Sequence, residues 1–269
     1  KQVRPDGGYS YPVRGPQGEL VGLAALGNRK DIRNAVEAAL GAFSSWSRMS
    51  AYQRAQILYY IAENLSVRRE EFAARLAQMT GRCERAHVEV ELAIERLFLY
   101  AGWADKYDGL VHSTPFRNVT IATNEPVGVI GIVTGDGAPL LQFVSLVAPA
   151  IAMGNTTVVV PSERWPLLAT DFYQVLDTSD LPGGVVNIVT GKRAELAPVL
   201  AAHDAVDALW YHGPSDLTAQ LERLSVGNMK RTFCTQGRER NWFDGREGEG
   251  IEFLREATQV KNIWIPYGE

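Results

Sequence analysis

From Ile32 the apolar residues recur at Ile32, Ala35, Val36, Ala39, Leu40, Phe43 and Trp46, a three-and-four spacing that predicts an amphipathic helix. Ser50 followed by Gln53 is a capping-box signature. It opens a second helix carrying Ile57, Leu58, Ile61 and Leu65, with Phe72, Leu76 and Met79 extending the pattern until Gly81 stops it. A third helix is predicted from about Ala86 to about Tyr107 through Val90, Ala93, Ile94, Leu97 and Tyr100. Before these helices, residues 1–18 hold three prolines and four glycines and read as an irregular arm.

Near residue 115 the period changes. Asn118–Thr123 alternates like an exposed strand, and Val127–Val133 is a β-branched apolar run like a buried one. Helix 139–153, strand Thr156–Val160, helix 166–177, strand Val185–Val189, helix 193–202, strand Ala205–Tyr211 and helix 214–224 follow. Strands separated by single helices predict crossover units, hence an α/β fold with a doubly wound, Rossmann-like parallel sheet over about 125–235. The helices of 1–112 are expected to pack on its side. In the tail, Asn241–Gly250 is rich in glycine and charge, Glu252–Ala257 reads as a short helix and Gln259–Ile265 as a strand whose partner periodicity alone does not assign.

Composition narrows the classes. The chain is 46% hydrophobic and 22% charged, enough apolar content for a sizeable core. Its 27 Lys and Arg against 31 Asp and Glu give a net charge of −4, which argues against a nucleic-acid partner. Pro139–Met153, the most apolar run, is too short to span a bilayer and is broken by Gln142, Ser145 and Pro149, so no membrane segment is expected. Two cysteines, Cys83 and Cys234, make no disulfide framework and fit a reducing, cytoplasmic setting. An opening at Lys1, with no signal-like apolar core, reads as a domain cut from a longer chain.

The first strand–helix junction is Val133-Thr-Gly-Asp-Gly-Ala-Pro139. Ligands of open α/β sheets bind beyond the carboxyl ends of the strands, near helix N-termini, and Gly135 and Gly137 would let a backbone approach one closely. No GxGxxG fingerprint accompanies them, and two glycines also make an ordinary tight turn. His87, His112, His203 and His212 lack metal-ligand spacing, so no metal is expected; His212 ends a predicted strand and reads as packed or solvated.

Four blocks in order carry a resemblance: Glu125-Pro-Val-Gly-Val-Ile-Gly131, Ala148-Pro-Ala-Ile-Ala-Met-Gly-Asn-Thr156, Pro161-Ser-Glu163 and Leu181-Pro-Gly-Gly-Val-Val-Asn-Ile-Val-Thr-Gly191. Together they resemble the aldehyde dehydrogenase superfamily. The helices through Ala35–Trp46, Arg54–Leu65 and Thr80-Gly81 resemble it too, as do the tail segments Gly245–Gly250 and Thr258–Ile265. The resemblance implies a cofactor-type domain over 125–235 and an oligomerisation flap made of 113–124 plus 256–269. It also implies that a catalytic segment, with its Glu-Leu-Gly-Gly glutamate and Gly-Gln-x-Cys cysteine, should lie between domain and tail. Only Leu224–Trp242 stands there, so the catalytic domain is expected to be absent. The arrangement resembles the truncated C-terminal domain of two-domain, family-sixteen members, which ends near a sequence like Asn262–Glu269.

By the same resemblance the cofactor contacts fall on Thr134, Gly135, Pro161, Ser162, Glu163 and Gly213, in a site expected to be degraded. The family's oxyanion asparagine aligns with Gly137, which has no amide to offer. Its ribose-binding lysine aligns with Val160, and the pyrophosphate turn with Gly213-Pro-Ser-Asp216, where proline has no amide proton and Ser215 is one place along. Cys234 is the weak candidate nucleophile, with Lys230, Arg231 and Arg238 as the groups that would lower its pKa.

Three functions follow. The leading one is a non-catalytic module that needs no cofactor itself, within an NAD-dependent parent. Its partners would be the parent's N-terminal aldehyde dehydrogenase module and a second copy of itself, bound by strand addition at the flap. The second is a sensor that still holds NAD weakly. The third is an aldehyde oxidoreductase relying on Cys234.

Overall fold

A computed structural model describes residues 2–267; Lys1 of the predicted arm, and Gly268 and Glu269 of the predicted flap, lie outside the described residues. The irregular arm is corrected first, because β1 (Ser10–Arg14) and β2 (Leu20–Ala25) form an antiparallel hairpin that buries Val13 and Ala24. In a two-stranded ribbon every strand is an edge, so Pro12 costs no interior ladder bond, and Gly18 turns the chain at φ +85°.

Four helices follow: α1 (Arg29–Arg48), α2 (Ala51–Val67), α3 (Arg69–Thr80) and α4 (Cys83–Trp103). Asn28 and Asp31 cap α1 reciprocally, and Ser50 and Gln53 cap α2 as the sequence predicts. Gly81, at φ +72°, ends α3 by donating its N–H to Ala77 O. The pattern that ran through Phe72 is two helices, broken at Arg68.

The remaining elements are β3 (Leu110–His112), β4 (Asn118–Pro126), β5 (Val129–Val133), α5 (Pro139–Ala152), β6 (Thr156–Val160), α6 (Leu167–Asp177), β7 (Val186–Ile188), α7 (Arg193–Ala202), β8 (Ala208–Tyr211), α8 (Thr218–Leu224), β9 (Arg231–Cys234), α9 (Gly245–Gly248), α10 (Ile251–Glu256) and β10 (Thr258–Pro266). Five of the strands make a wholly parallel sheet in the order β7-β6-β5-β8-β9. The expected α/β fold is what forms. Ile32, Val36, Leu196 and Leu200 of α1 and α7 pack with Val129, Val133, Val158 and Val160 on one face. Leu140, Phe143 and Phe172 of α5 and α6 pack with Ile130, Ile132 and Val159 on the other.

Every residue of α5 is buried, which explains its apolar run without a membrane. Among the described residues no helix is long and apolar enough to cross a membrane. Asn155, just before β6, locks this layer: it accepts from Gly128 N–H at 3.0 Å and donates to Ala150 O and Ala257 O.

The tail strand joins a second sheet, in the order β10-β4-β3. β10 pairs antiparallel with β4 from Thr258 opposite Pro126 to Pro266 opposite Asn118. β4 is central, which leaves β3 and β10 as edges. Leu110, Val111, Phe116, Val260, Trp264 and Ile265 are exposed here, and the Phe116 and Trp264 rings lie 6.5 Å apart.

The tail is tied back to the helices by Arg96 of α4, whose guanidinium is almost fully buried. It donates to Ser145 Oγ at 2.9 Å, Trp242 O at 3.0 Å and Gly248 O, and pairs with the Glu249 carboxylate. A Cβ on Gly248 would sit 2.7 Å from Arg96 Nη1, so close packing requires glycine there.

Candidate functional site

The parallel strands deliver three turns to one edge of the sheet: residues 134–137 after β5, 161–163 after β6 and 213–214 after β8. Thr134, Gly135, Ser162, Glu163 and Gly213 meet there, with Pro161 leading into the second turn, around two residues that sequence reasoning passed over. These are Asp136 and Arg193. The Arg193 guanidinium pairs with Asp136 Oδ1 at 3.0 Å and donates through Nε to Thr134 O at 3.2 Å. The same Asp136 oxygen accepts from Ser162 Oγ at 2.6 Å.

The other groups are engaged as well. Glu163 Oε2 accepts from Arg193 N–H at 2.8 Å, capping α7, and its carbonyl accepts from the Tyr11 hydroxyl. Ser162 Oγ accepts from Trp165 N–H. Gly135 N–H donates to Gln142 Oε1, whose amide reaches on to His212 O. A Cβ on Gly213 would lie 2.9 Å from Arg193 Cδ, so the side chain fills the approach to that turn.

These residues do not fit a dinucleotide. A pyrophosphate needs free amides and positive charge at helix N-termini. Here the first-turn amides of α5 at Leu140 and Leu141 are taken by Glu89 Oε1, at 2.9 and 3.2 Å. The turn before α8 has Pro214 without an N–H, and the group that projects between β5 and β6 is the Asp136 carboxylate, about a third exposed. Thr134 Oγ1 is buried without a partner among the described residues, as are both ring nitrogens of His212 and Thr218 Oγ1, which flank the 213–214 turn in the chain.

Glu89 was also missed, although a signal existed. It shares the apolar stripe of α4 with Ala86, Val90, Ala93 and Leu97, where a charge is out of place. Burial pushes its pKa up to about 7, against the two amides that favour the charged form. A folded-state value above the ordinary 4.5 means that the native protein takes up a proton the unfolded chain refuses. Its contribution to stability should therefore rise as pH falls from about 7 to 4.5. Urea melts run as a pH series should show Glu89→Gln losing stability relative to the unmodified protein as pH falls across that window. Glu89→Ala should cost about 1–3 kcal/mol at any pH by stranding the α5 amides.

For Cys234 the expectation is corrected. The cysteine ends β9 as a half-buried thiol. Burial, and secondarily the Glu222 carboxylate, push its pKa up to about 11 rather than down. Two of the three basic neighbours are spent elsewhere. Lys230 Nζ donates to His203 O and Asn228 Oδ1, and Arg231 reaches Thr258 O and Glu256. Arg238 is exposed, its backbone N–H closing the next turn on Thr235 O, and its charge is not among the causes that shift the thiol. His212 is packed, its ring edge-on to Phe233 and Trp242 at 4.9 and 5.4 Å. Among the described residues no group of three His, Cys, Asp or Glu could hold a metal.

Comparison with known proteins matches residues 4–239 to the aldehyde dehydrogenase family model; the tail from residue 240 lies beyond that match. The chain is 36% identical over 214 residues to aldehyde dehydrogenase family 2 member B4 of Arabidopsis thaliana, a mitochondrial protein, covering 78% of this chain and 40% of that one. It is 33% identical to human retinaldehyde dehydrogenase 3, over 78% of this chain and 42% of the relative. Betaine aldehyde dehydrogenase from Staphylococcus aureus, solved in complex with NAD+, superimposes with a TM-score of 0.83 at 27% identity, covering 87% of this chain and 48% of that one. The chain thus spans less than half the length of each.

Proposed function

The chain belongs to the aldehyde dehydrogenase family, and on that premise we propose that it is a non-catalytic domain of a longer NAD-dependent aldehyde dehydrogenase, serving as its structural and oligomerisation module. The observation that carries this reading is the flap. β10 runs nine residues with one face of its ladder unpaired and with Val260, Trp264 and Ile265 exposed, which is a template for strand addition. Its partner is a second copy of this chain, or the parent's catalytic module in cis, in the cytoplasm.

The chemistry supports the same reading. Between β9 and α9 stand only residues 235–244, where the family resemblance calls for a catalytic segment. The thiol nearest that junction is held protonated at neutral pH, with a pKa of about 11, so a nucleophilic role for Cys234 has no thiolate to work with.

Light scattering on the purified chain should show a dimer at roughly 10–100 μM, since a stable interface of ordinary size gives affinities in or below that range. Trp264→Lys should shift it to monomer with an unchanged far-ultraviolet spectrum. A chain that stays monomeric alone, and that also fails to bind the parent's catalytic module, would end the proposal.

A further inference from the structure

The mouth of the parallel sheet is closed from two sides by the chain itself. On one side stands the Arg193–Asp136 pair, with Ser162 on the same carboxylate oxygen and Glu163 on the backbone N–H of Arg193. One arginine therefore ties the turn after β5, the turn after β6 and the start of α7. On the other side the turn after β9 folds down. Gln236 and Gly237 both take positive φ, at +52° and +76°, and Gly237 comes so near the start of α8 that a Cβ on it would lie 2.7 Å from Ser215 Cβ. Thr235 N–H continues the ladder to Tyr211 O, and the Gln236 amide donates to Glu222 of α8. Ser215, the group nearest to a substitute for the phosphate-turn hydroxyl, stays exposed but has Gly237 packed against its side chain.

We infer that the edge of the sheet is a structural joint in place of a ligand cleft: Arg193 and Asp136 form a built-in occupant and the 235–238 turn braces the 213–216 turn beside it, so that the domain excludes nucleotides and gains stability from the joint. The physical reasons are additive. A buried guanidinium supplies from within the positive charge that a bound diphosphate would demand, and its partner carboxylate repels an incoming phosphate. Two anion-attracting N-termini are spent, α5 on Glu89 and α7 on Glu163, and the turn that leads into α8 carries Pro214, which has no N–H to offer. The strained backbone at Gln236 holds its shape only because the Glu222 contact and the strand ladder determine it. This inference stands apart from the flap, since a closed joint is compatible with any oligomeric state.

Its test combines a titration with a double-mutant cycle on the intact chain. With NAD+ or NADH at about 1 mM, calorimetry should show no saturable heat and the melting temperature should not move, because any ligand of the native state raises it by mass action. Asp136→Asn and Arg193→Met should each lower the melting temperature by roughly 3–6 °C. The double variant should fall no further than the worse single, because the two losses are one interaction. Gly237→Ala should lower it as well, and with Asp136→Asn it carries the stability arm if Arg193→Met fails to fold. Saturable NAD+ binding to the unmodified chain at tens of micromolar, or fully additive losses at 136 and 193, would overturn the joint.

Discussion

Replacing Arg96 by alanine is expected to destabilise the protein by about 3–5 kcal/mol, the range for removing one partner of a buried, hydrogen-bonded ion pair. The reason lies in what the side chain joins. Its guanidinium, on α4, binds a hydroxyl on α5, two carbonyls of the tail and the Glu249 carboxylate. Deleting it leaves those acceptors without a donor in the interior. Arg96→Lys should recover only part of the loss, because one ammonium cannot reproduce a planar fork that serves four groups. The damage should also be local in its first stage. Trp242 should become more exposed, shifting tryptophan emission to the red, and amides of 241–257 should exchange faster than those of α5. A measured loss below about 1 kcal/mol in urea melts would show that the tail is held by its apolar contacts alone.

The second large effect is acid destabilisation through His212. Burial, with the Arg240 charge as a lesser cause, lowers its pKa from the ordinary 6.5 to about 3, and neither ring nitrogen has a hydrogen-bond partner among the described residues. The native state therefore refuses a proton that the unfolded chain accepts. Stability should fall as pH drops from 6.5 towards 3, by about 5 kcal/mol across the whole window. Glu89 acts with the opposite sign between about 7 and 4.5, so in the unmodified protein the two should largely cancel above pH 4.5. The fall should then appear below that point. Glu89→Gln should move its onset up to about pH 6.5, and His212→Phe should delay it. Two melting series against pH read both shifts, and a Glu89→Gln profile that stays flat between pH 6.5 and 4.5 would disprove the burial account of His212.

Much of the architecture was legible in the chain because it follows from local rules. The period of the apolar residues sets the N-terminal helical region apart from the alternating strands and helices after residue 125, and the caps at Ser50 and Gly81 mark two of its boundaries, though the break at Arg68 was not legible. The strands Val129–Val133 and Thr156–Val160, built almost wholly of β-branched residues and free of charge, announce burial on both faces, hence a parallel sheet. The short elements were not legible: β1, β2, β3 and β9 hold three to six residues each, too few for a period to repeat. Proline and glycine, the signals of an irregular arm, are equally at home in a two-stranded ribbon.

The site divides the same way. Sequence alone determined which turns would gather at the edge of the sheet, because crossover topology sends every strand end to one side. It also carried the resemblance that placed Thr134, Gly135, Pro161, Ser162, Glu163 and Gly213 among them. Only the tertiary structure decided what those turns bind. A glutamate at position 163 reads the same whether it faces a ribose or caps a helix, and three turns far apart in sequence must close before Arg193 can reach Asp136. The Cys234 thiol likewise lies beside three basic residues in the chain, yet burial and Glu222 set its protonation. Charge and burial depend on neighbours in space, and those are brought together by the fold.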